Sequence, residues 1–228
     1  DKSNKHICIY DNESRKLVKY TYNGAFVGKY PLPDLMRSFT NVKGKFICIQ
    51  PVYLRKMRSG IWTTDSEGKF GKVLVPENSD NVYEALYPHY FNYNDEGISY
   101  YDRYDNRLFF ITPDSAYLKY RFNLIPAMPR ALKRNEDKGV QDYFMLATCY
   151  DFEKYILLFY GSTKEFYQVL YNKADSTYRV TEDLVNDLLP DDKNEVSEHY
   201  IDPYTLAVEM SAEENDYNLH LQILHIKK

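Results

Sequence analysis

The chain has 228 residues, 44% hydrophobic and 27% charged, with a formal net charge of -4. That balance supports a globular core and excludes a nucleic-acid binder, which needs a concentrated basic face to displace counterions from phosphate. Nothing approaches the roughly 18 consecutive apolar residues of a membrane-spanning helix. The chain opens on Asp1 with neither Met nor a signal peptide, as a mature or trimmed form would.

Tyr is unusually frequent, at 24 residues beside 12 Phe and one Trp. Aromatic rings pack well on a pleated surface, so composition already leans toward strands. Residues 6–30 read as two strands joined by Asp11-Asn12-Glu13-Ser14-Arg15, followed by a hairpin. The run Ile7-Cys8-Ile9-Tyr10 is apolar on both faces, which predicts a strand sandwiched between neighbouring sheets. Asn23-Gly24 predicts a type I′ hairpin turn, and Pro31 and Pro33 end the unit. Residues 38–75 repeat the scheme, with turns at Lys43-Gly44 and Ser66-Glu67-Gly68. Residues 76–90 read as a polar connection, and 90–125 as a third copy. Residues 126–141, with Pro126 and Pro129, read as an exposed loop. A fourth unit covers 142–180: a strand at 143–149, a hairpin around Gly161-Ser162-Thr163 and a strand at 177–181. Thr181 is a candidate cap for a short helix ending before Pro190, and 204–210 with 218–226 make a closing hairpin.

A strand-built period of about 40 to 50 residues is the signature of propeller blades. The fold class is therefore all-β and β-propeller-like, with antiparallel blades in a small or incomplete ring. Residues 1–228 form a single domain of about four to five blade units. Cys8, Cys48 and Cys149 are an odd count, so no disulfide framework is implied; Cys8 and Cys48 share one phase of the repeat and read as small apolar side chains in strands.

Four stretches carry a family resemblance. Residues 7–30 resemble a unit of strand, Asp, hairpin and Tyr-x-x-x-Gly-x-Phe, and 98–124 are similar to a second such unit. Asn186-Asp187-Leu188, followed by Tyr200-Ile201-Asp202 and Leu206, resembles a late motif and the blade after it, and residues 215–227 resemble a terminal strand. Together they resemble the six-bladed β-propeller lipoproteins of unknown function, distant relatives of NHL-repeat and TolB-like propellers. The family is usually longer, so this chain would match its C-terminal blades. The resemblance implies a periplasmic or cell-surface location, and a lipid anchor on a removed N-terminal segment. It implies little about activity, because a propeller hosts many functions.

Motifs for catalysis are mostly missing: there is no Gly-x-Ser-x-Gly elbow, no phosphate-binding Gly-rich loop, no His-Glu-x-x-His and no Cys-x-x-Cys. Asn92-Tyr93-Asn94-Asp95-Glu96-Gly97 is like the start of a calcium loop, but the closing bidentate Glu is replaced by Arg103, which leaves a solvated turn as the better reading. The acidic run Asp191, Asp192, Glu195, Glu198, His199 and Asp202 has no standard ligand spacing and reads as a solvated loop; no metal or cofactor is expected. The clusters Arg55, Lys56 and Arg58, and Arg130, Lys133 and Arg134, read as solvated loops, so no nucleic-acid partner is expected.

The remaining candidates are aromatic: Trp62, Tyr87, His89, Tyr90, Tyr93, Tyr100, Tyr101 and Tyr104. Flat rings with a polar edge can stack on sugars. Strand alternation turns at least half of them inward. Trp62, Tyr87, His89, Tyr90 and Tyr93 are the candidate ligand-binding residues, Trp62 because it follows the Arg58-Ser59-Gly60 turn and the others because 87–93 reads as loop. The expected function is a non-enzymatic binding or scaffold module of the cell envelope that contacts a glycan or a protein through blade loops. The rival is an extracellular carbohydrate hydrolase or lyase, which needs two converging carboxyls.

Overall fold

The computed structural model describes residues 1–2, 4–33, 36, 38–50, 60–76, 91–102, 106–127, 142–181, 195–210 and 220–225. These residues form five antiparallel sheets in chain order. The first contains β1 (His6–Asp11), β2 (Lys16–Thr21) and β3 (Phe26–Pro31). The second contains β4 (Ser38–Val42), β5 (Lys45–Gln50), β6 (Gly60–Thr64) and β7 (Phe70–Pro76). The third contains β8 (Phe91–Tyr93), β9 (Ile98–Asp102), β10 (Arg107–Ile111) and β11 (Ala116–Arg121). The fourth contains β12 (Met145–Asp151), β13 (Tyr155–Gly161), β14 (Phe166–Asn172) and β15 (Tyr178–Thr181). The fifth contains β16 (Glu195–Asp202), β17 (Thr205–Met210) and β18 (His220–His225). Each sheet is a meander in which every strand pairs with its sequence neighbour. That is the all-β blade pattern the repeat predicts.

The strand sequences explain how the sheets stack. In β5, Phe46 and Cys48 face the first sheet, where they join Leu17, Leu32, Met36 and Trp62. The alternate residues Ile47 and Ile49 face the third sheet, in a cluster with Ile61, Ile98, Tyr101, Leu108, Leu146 and Ile156. Side chains alternate across a strand, so a strand apolar at every position must be covered on both faces. β6 and β9 are buried throughout for the same reason. Between the fourth and fifth sheets, Tyr150, Phe152, Phe159 and Leu206 form the next layer. Cys48 and Cys149 are wholly buried in these layers, and burial pushes the Cys48 thiol far above its ordinary pKa.

The turns account for the registers. Lys43 and Gly44 both have positive φ, at 51° and 79°, and form the two-residue loop between Val42 and Lys45. Both central residues of a type I′ turn need that conformation. The turn expected to be type I′, at Asn23-Gly24, is different. The Gly24 amide donates to Thr21 O at 2.9 Å and the Thr21 amide to Ala25 O at 2.8 Å, with only Gly24 at positive φ. This is a three-residue loop ending in a left-handed glycine; a separate one-residue shift in the β2–β3 register falls between Lys19 and Tyr20. The loop from Asp65 to Lys69 repeats this turn, with Gly68 at φ 83°.

Two further expectations are corrected. Ile7 and Ile9 are 47% and 51% exposed, so β1 is covered only on its Cys8 and Tyr10 face among the described residues. By phase, Ile7-Cys8-Ile9 matches Ile47-Cys48-Ile49 of β5, a second strand, and no counterpart of β4 precedes it among the described residues. The acidic run is also not a loop throughout, because residues 195–202 form β16. Charged and polar residues hid a strand that carries Val196, Tyr200 and Ile201. Beyond Pro76, which ends β7, and Pro126 and Ala127, the connection at 76–90 and the loop at 126–141 lie outside the described residues, as do the helix proposed after Thr181 and both basic clusters. Among the described residues, no helix is long and apolar enough to cross a membrane.

Candidate functional site

The turn joining the first and second strands of each later sheet falls on one face of the molecule. On that face a cleft of about 770 Å³ is lined by 40–43 from the second sheet, 93–95 from the third and 201–204 from the fifth, with Asp1 and Lys2 alongside. A second hollow of about 330 Å³ adjoins it and shares Asn94, Asp95, Pro203 and Tyr204. The Glu153 amide donates to Pro203 O at 3.0 Å and ties the fourth turn to the fifth. The Lys2–Asp95 contact at 3.5 Å joins two almost fully exposed groups, so it adds little to stability.

The predicted residues divide sharply. Tyr93 stands at the end of β8, lines the cleft and is 37% exposed. Its phenol is nevertheless pushed above the ordinary range by burial, opposed by a hydrogen bond with Ser38. Trp62 does not belong to the site. It is 0% exposed and packs against Phe70 at 6.0 Å between ring centroids, so no ligand reaches its face. β6 is covered on both faces, so the ring is buried despite the neighbouring turn. Tyr100 and Tyr101 are core residues too. Tyr87, His89, Tyr90 and Tyr104 lie outside the described residues.

The calcium-like segment is an ordinary turn. Asn94 Oδ1 accepts from the amides of Glu96 and Gly97, each at 2.9 Å. Asp202 accepts from the Tyr204 amide at 2.7 Å in the same way. Among the described residues, no three His, Cys, Asp or Glu side chains gather to hold a metal.

The polar centre beside the cleft is Asp151, at the end of β12. Its side chain is 2% exposed. Lys119 from β11 reaches Oδ2 at 2.5 Å, and Lys173, just after β14, reaches Oδ1 at 2.6 Å. Ser99 Oγ also donates to Oδ2, and the Lys173 ammonium donates to Phe152 O. Buried Asn92 accepts from the Asp151 amide at 2.5 Å and donates to Cys149 O at 3.1 Å, stitching β8 to β12. Burial would raise the Asp151 carboxyl, but the two ammoniums outweigh it and hold it below the ordinary range. Lys173 is also held low, because burial and the Lys119 charge outweigh what a single shared carboxylate returns. Asp151 is therefore ionised at neutral pH.

The sequence reading missed this cluster. Its one visible signal is an apolar residue followed by Asp at a strand end, in Tyr10-Asp11, Tyr101-Asp102, Tyr150-Asp151 and Ile201-Asp202. The signal is ambiguous because Asp151 and Asp202 close first strands on the cleft face, while Asp102 closes a second strand and pairs with Arg107 at 2.6 Å.

Five stacked meander sheets, with a cleft at the first turns of the later ones, define a β-propeller protein. The chain belongs to the six-bladed β-propeller family DUF5128, whose family model matches residues 1–198. In solved structures it is similar to a candidate exported protein of Bacteroides fragilis NCTC 9343, at 14% identity and a TM-score of 0.67. That match covers 92% of this chain but 64% of the Bacteroides protein, so the chain spans less than two thirds of that neighbour. Two structures of AztD from Citrobacter koseri match at TM-scores of 0.46 and 0.45, with 10% and 11% identity. They cover 90% and 98% of this chain and 51% and 57% of their own chains. Among curated proteins, none matches the sequence.

Proposed function

We propose that the protein is an exported, non-enzymatic binding module of the cell envelope that holds a glycan in the cleft at its first-turn face. The observation that carries this reading is the cleft itself, built by turns of three sheets and lined by Tyr93, a 37% exposed aromatic residue, with Asn94, Asp95, Asn41 and Tyr204 beside it. A ring face with amide and carboxylate neighbours suits a sugar, whose C–H face stacks while its hydroxyls hydrogen-bond. The exported description of the Bacteroides neighbour supports an envelope address, and a periplasmic or surface location with a lipid anchor on a preceding segment completes the reading. Asp151 is ionised and pinned by two lysines, so it is a poor proton donor; that supports binding over hydrolysis.

The test is a melting-temperature screen against soluble glycans. A ligand at about 100 times its Kd stabilises by about 2.7 kcal/mol, a rise of roughly 5–10 °C in a domain of this size. Tyr93→Ala should weaken the ligand about tenfold, equivalent to about 1.4 kcal/mol of stacking and packing. A flat panel, or a ligand indifferent to Tyr93→Ala, would contradict the reading.

A further inference from the structure

We propose that the hollow beside the cleft is an anion subsite, in which Lys119 and Lys173 receive the carboxylate or sulfate of an acidic sugar. This rests on the glycan reading only for where the rest of the ligand lies. Two ammoniums face one carboxylate, so the cluster keeps one uncompensated positive charge. An ammonium has three donors. Lys119 gives one to Asp151 and otherwise lies over the Phe110 ring at 5.7 Å. Lys173 gives one to Asp151 and one to Phe152 O. Donors on both lysines therefore remain uncommitted among the described residues, and both side chains line the hollow at 29% and 16% exposure.

Both oxygens of Asp151 are already engaged, so an arriving group meets donors rather than a free acceptor. An oxyanion bridging the two ammoniums would satisfy these donors and relieve the repulsion between them. The rim carries exposed Asp95, Glu96 and Glu153. Their charges are screened by solvent more than those of the half-buried lysines below. They disfavour a bare inorganic anion but accept from hydroxyls. A ligand with one anionic group and many hydroxyls fits both levels, which selects an acidic sugar over free sulfate or phosphate.

The experiment is a titration with sodium glucuronate, glucose and sodium sulfate. Wild type should bind glucuronate at least about tenfold tighter than glucose and tighter than sulfate. Lys119→Gln should erase that preference while Lys119→Arg retains it. Asp151 stays paired with Lys173 in both variants, so both should fold, with circular dichroism as the check. Equal binding of glucuronate and glucose, no binding of glucuronate, or a preference that survives in Lys119→Gln would each overturn the subsite. If neutral glycans bind and respond to Tyr93→Ala while acids gain nothing, the subsite falls and the cleft reading stands. If glucuronate binding needs Lys119 but not Tyr93, the subsite stands and the cleft reading falls.

Discussion

Asp151→Ala is expected to lower the melting temperature by roughly 10 °C. Removing one partner from a buried charge cluster costs about 3–5 kcal/mol, because the other charges are left uncompensated, and each kcal/mol is about 2–4 °C in a domain of this size. Here the substitution strands Lys119 and Lys173 together and releases Ser99. Both lysines keep some solvent contact, which places the expected cost toward the lower end. The pH dependence follows from the same cluster. The folded carboxyl is held below its unfolded value of about 3.9. The folded state therefore binds fewer protons, and the contribution is fully present above about pH 4. It is lost as pH falls below that value through the folded pKa. Acid titration of wild type should show this loss, and Asp151→Asn should lack it; parallel acid curves for the two proteins would contradict the role assigned to Asp151.

Trp62→Ala is expected to cost about 3–5 kcal/mol, the range for truncating a fully buried large aromatic. The ring fills the layer between the first two sheets, against Phe70 and within the cluster of Leu17, Phe46 and Cys48. The indole Nε1 has no hydrogen-bond partner among the described residues. Trp62→Phe therefore loses volume but no hydrogen bond, and should cost less than Trp62→Ala. As the single Trp of the chain, Trp62 also reports on its own surroundings. Native emission should be blue-shifted and resistant to acrylamide, turning red only on unfolding. A red, readily quenched native spectrum would show that the first two sheets are not packed as described.

These two residues show what the sequence carried and what it withheld. The sheets were legible because each strand alternates around short polar turns, and doubly buried runs such as Ile47-Cys48-Ile49 mark strands covered on both faces. The hairpin at Asn23-Gly24 was also legible, but its turn type was not, since one extra loop residue changes which position takes positive φ. β16 was hidden because its charged and polar residues outweighed its apolar ones. At the site, the turn beside Trp62 suggested an exposed ring, but β6 is covered on both faces and the ring is buried. Asp151 and Lys173 are 22 residues apart within the fourth sheet, and Lys119 joins them only when the third and fourth sheets stack. No local spacing announces such a cluster.

The central claim is that ligand recognition belongs to the first-turn face. The most direct measurement is amide hydrogen exchange with and without the glycan that gives the largest rise in melting temperature. The account predicts slowed exchange at Glu96, Gly97 and Tyr204, whose amides are held in the turns around the cleft. Protection confined to outer strands such as β15, with the turn amides unchanged, would contradict it.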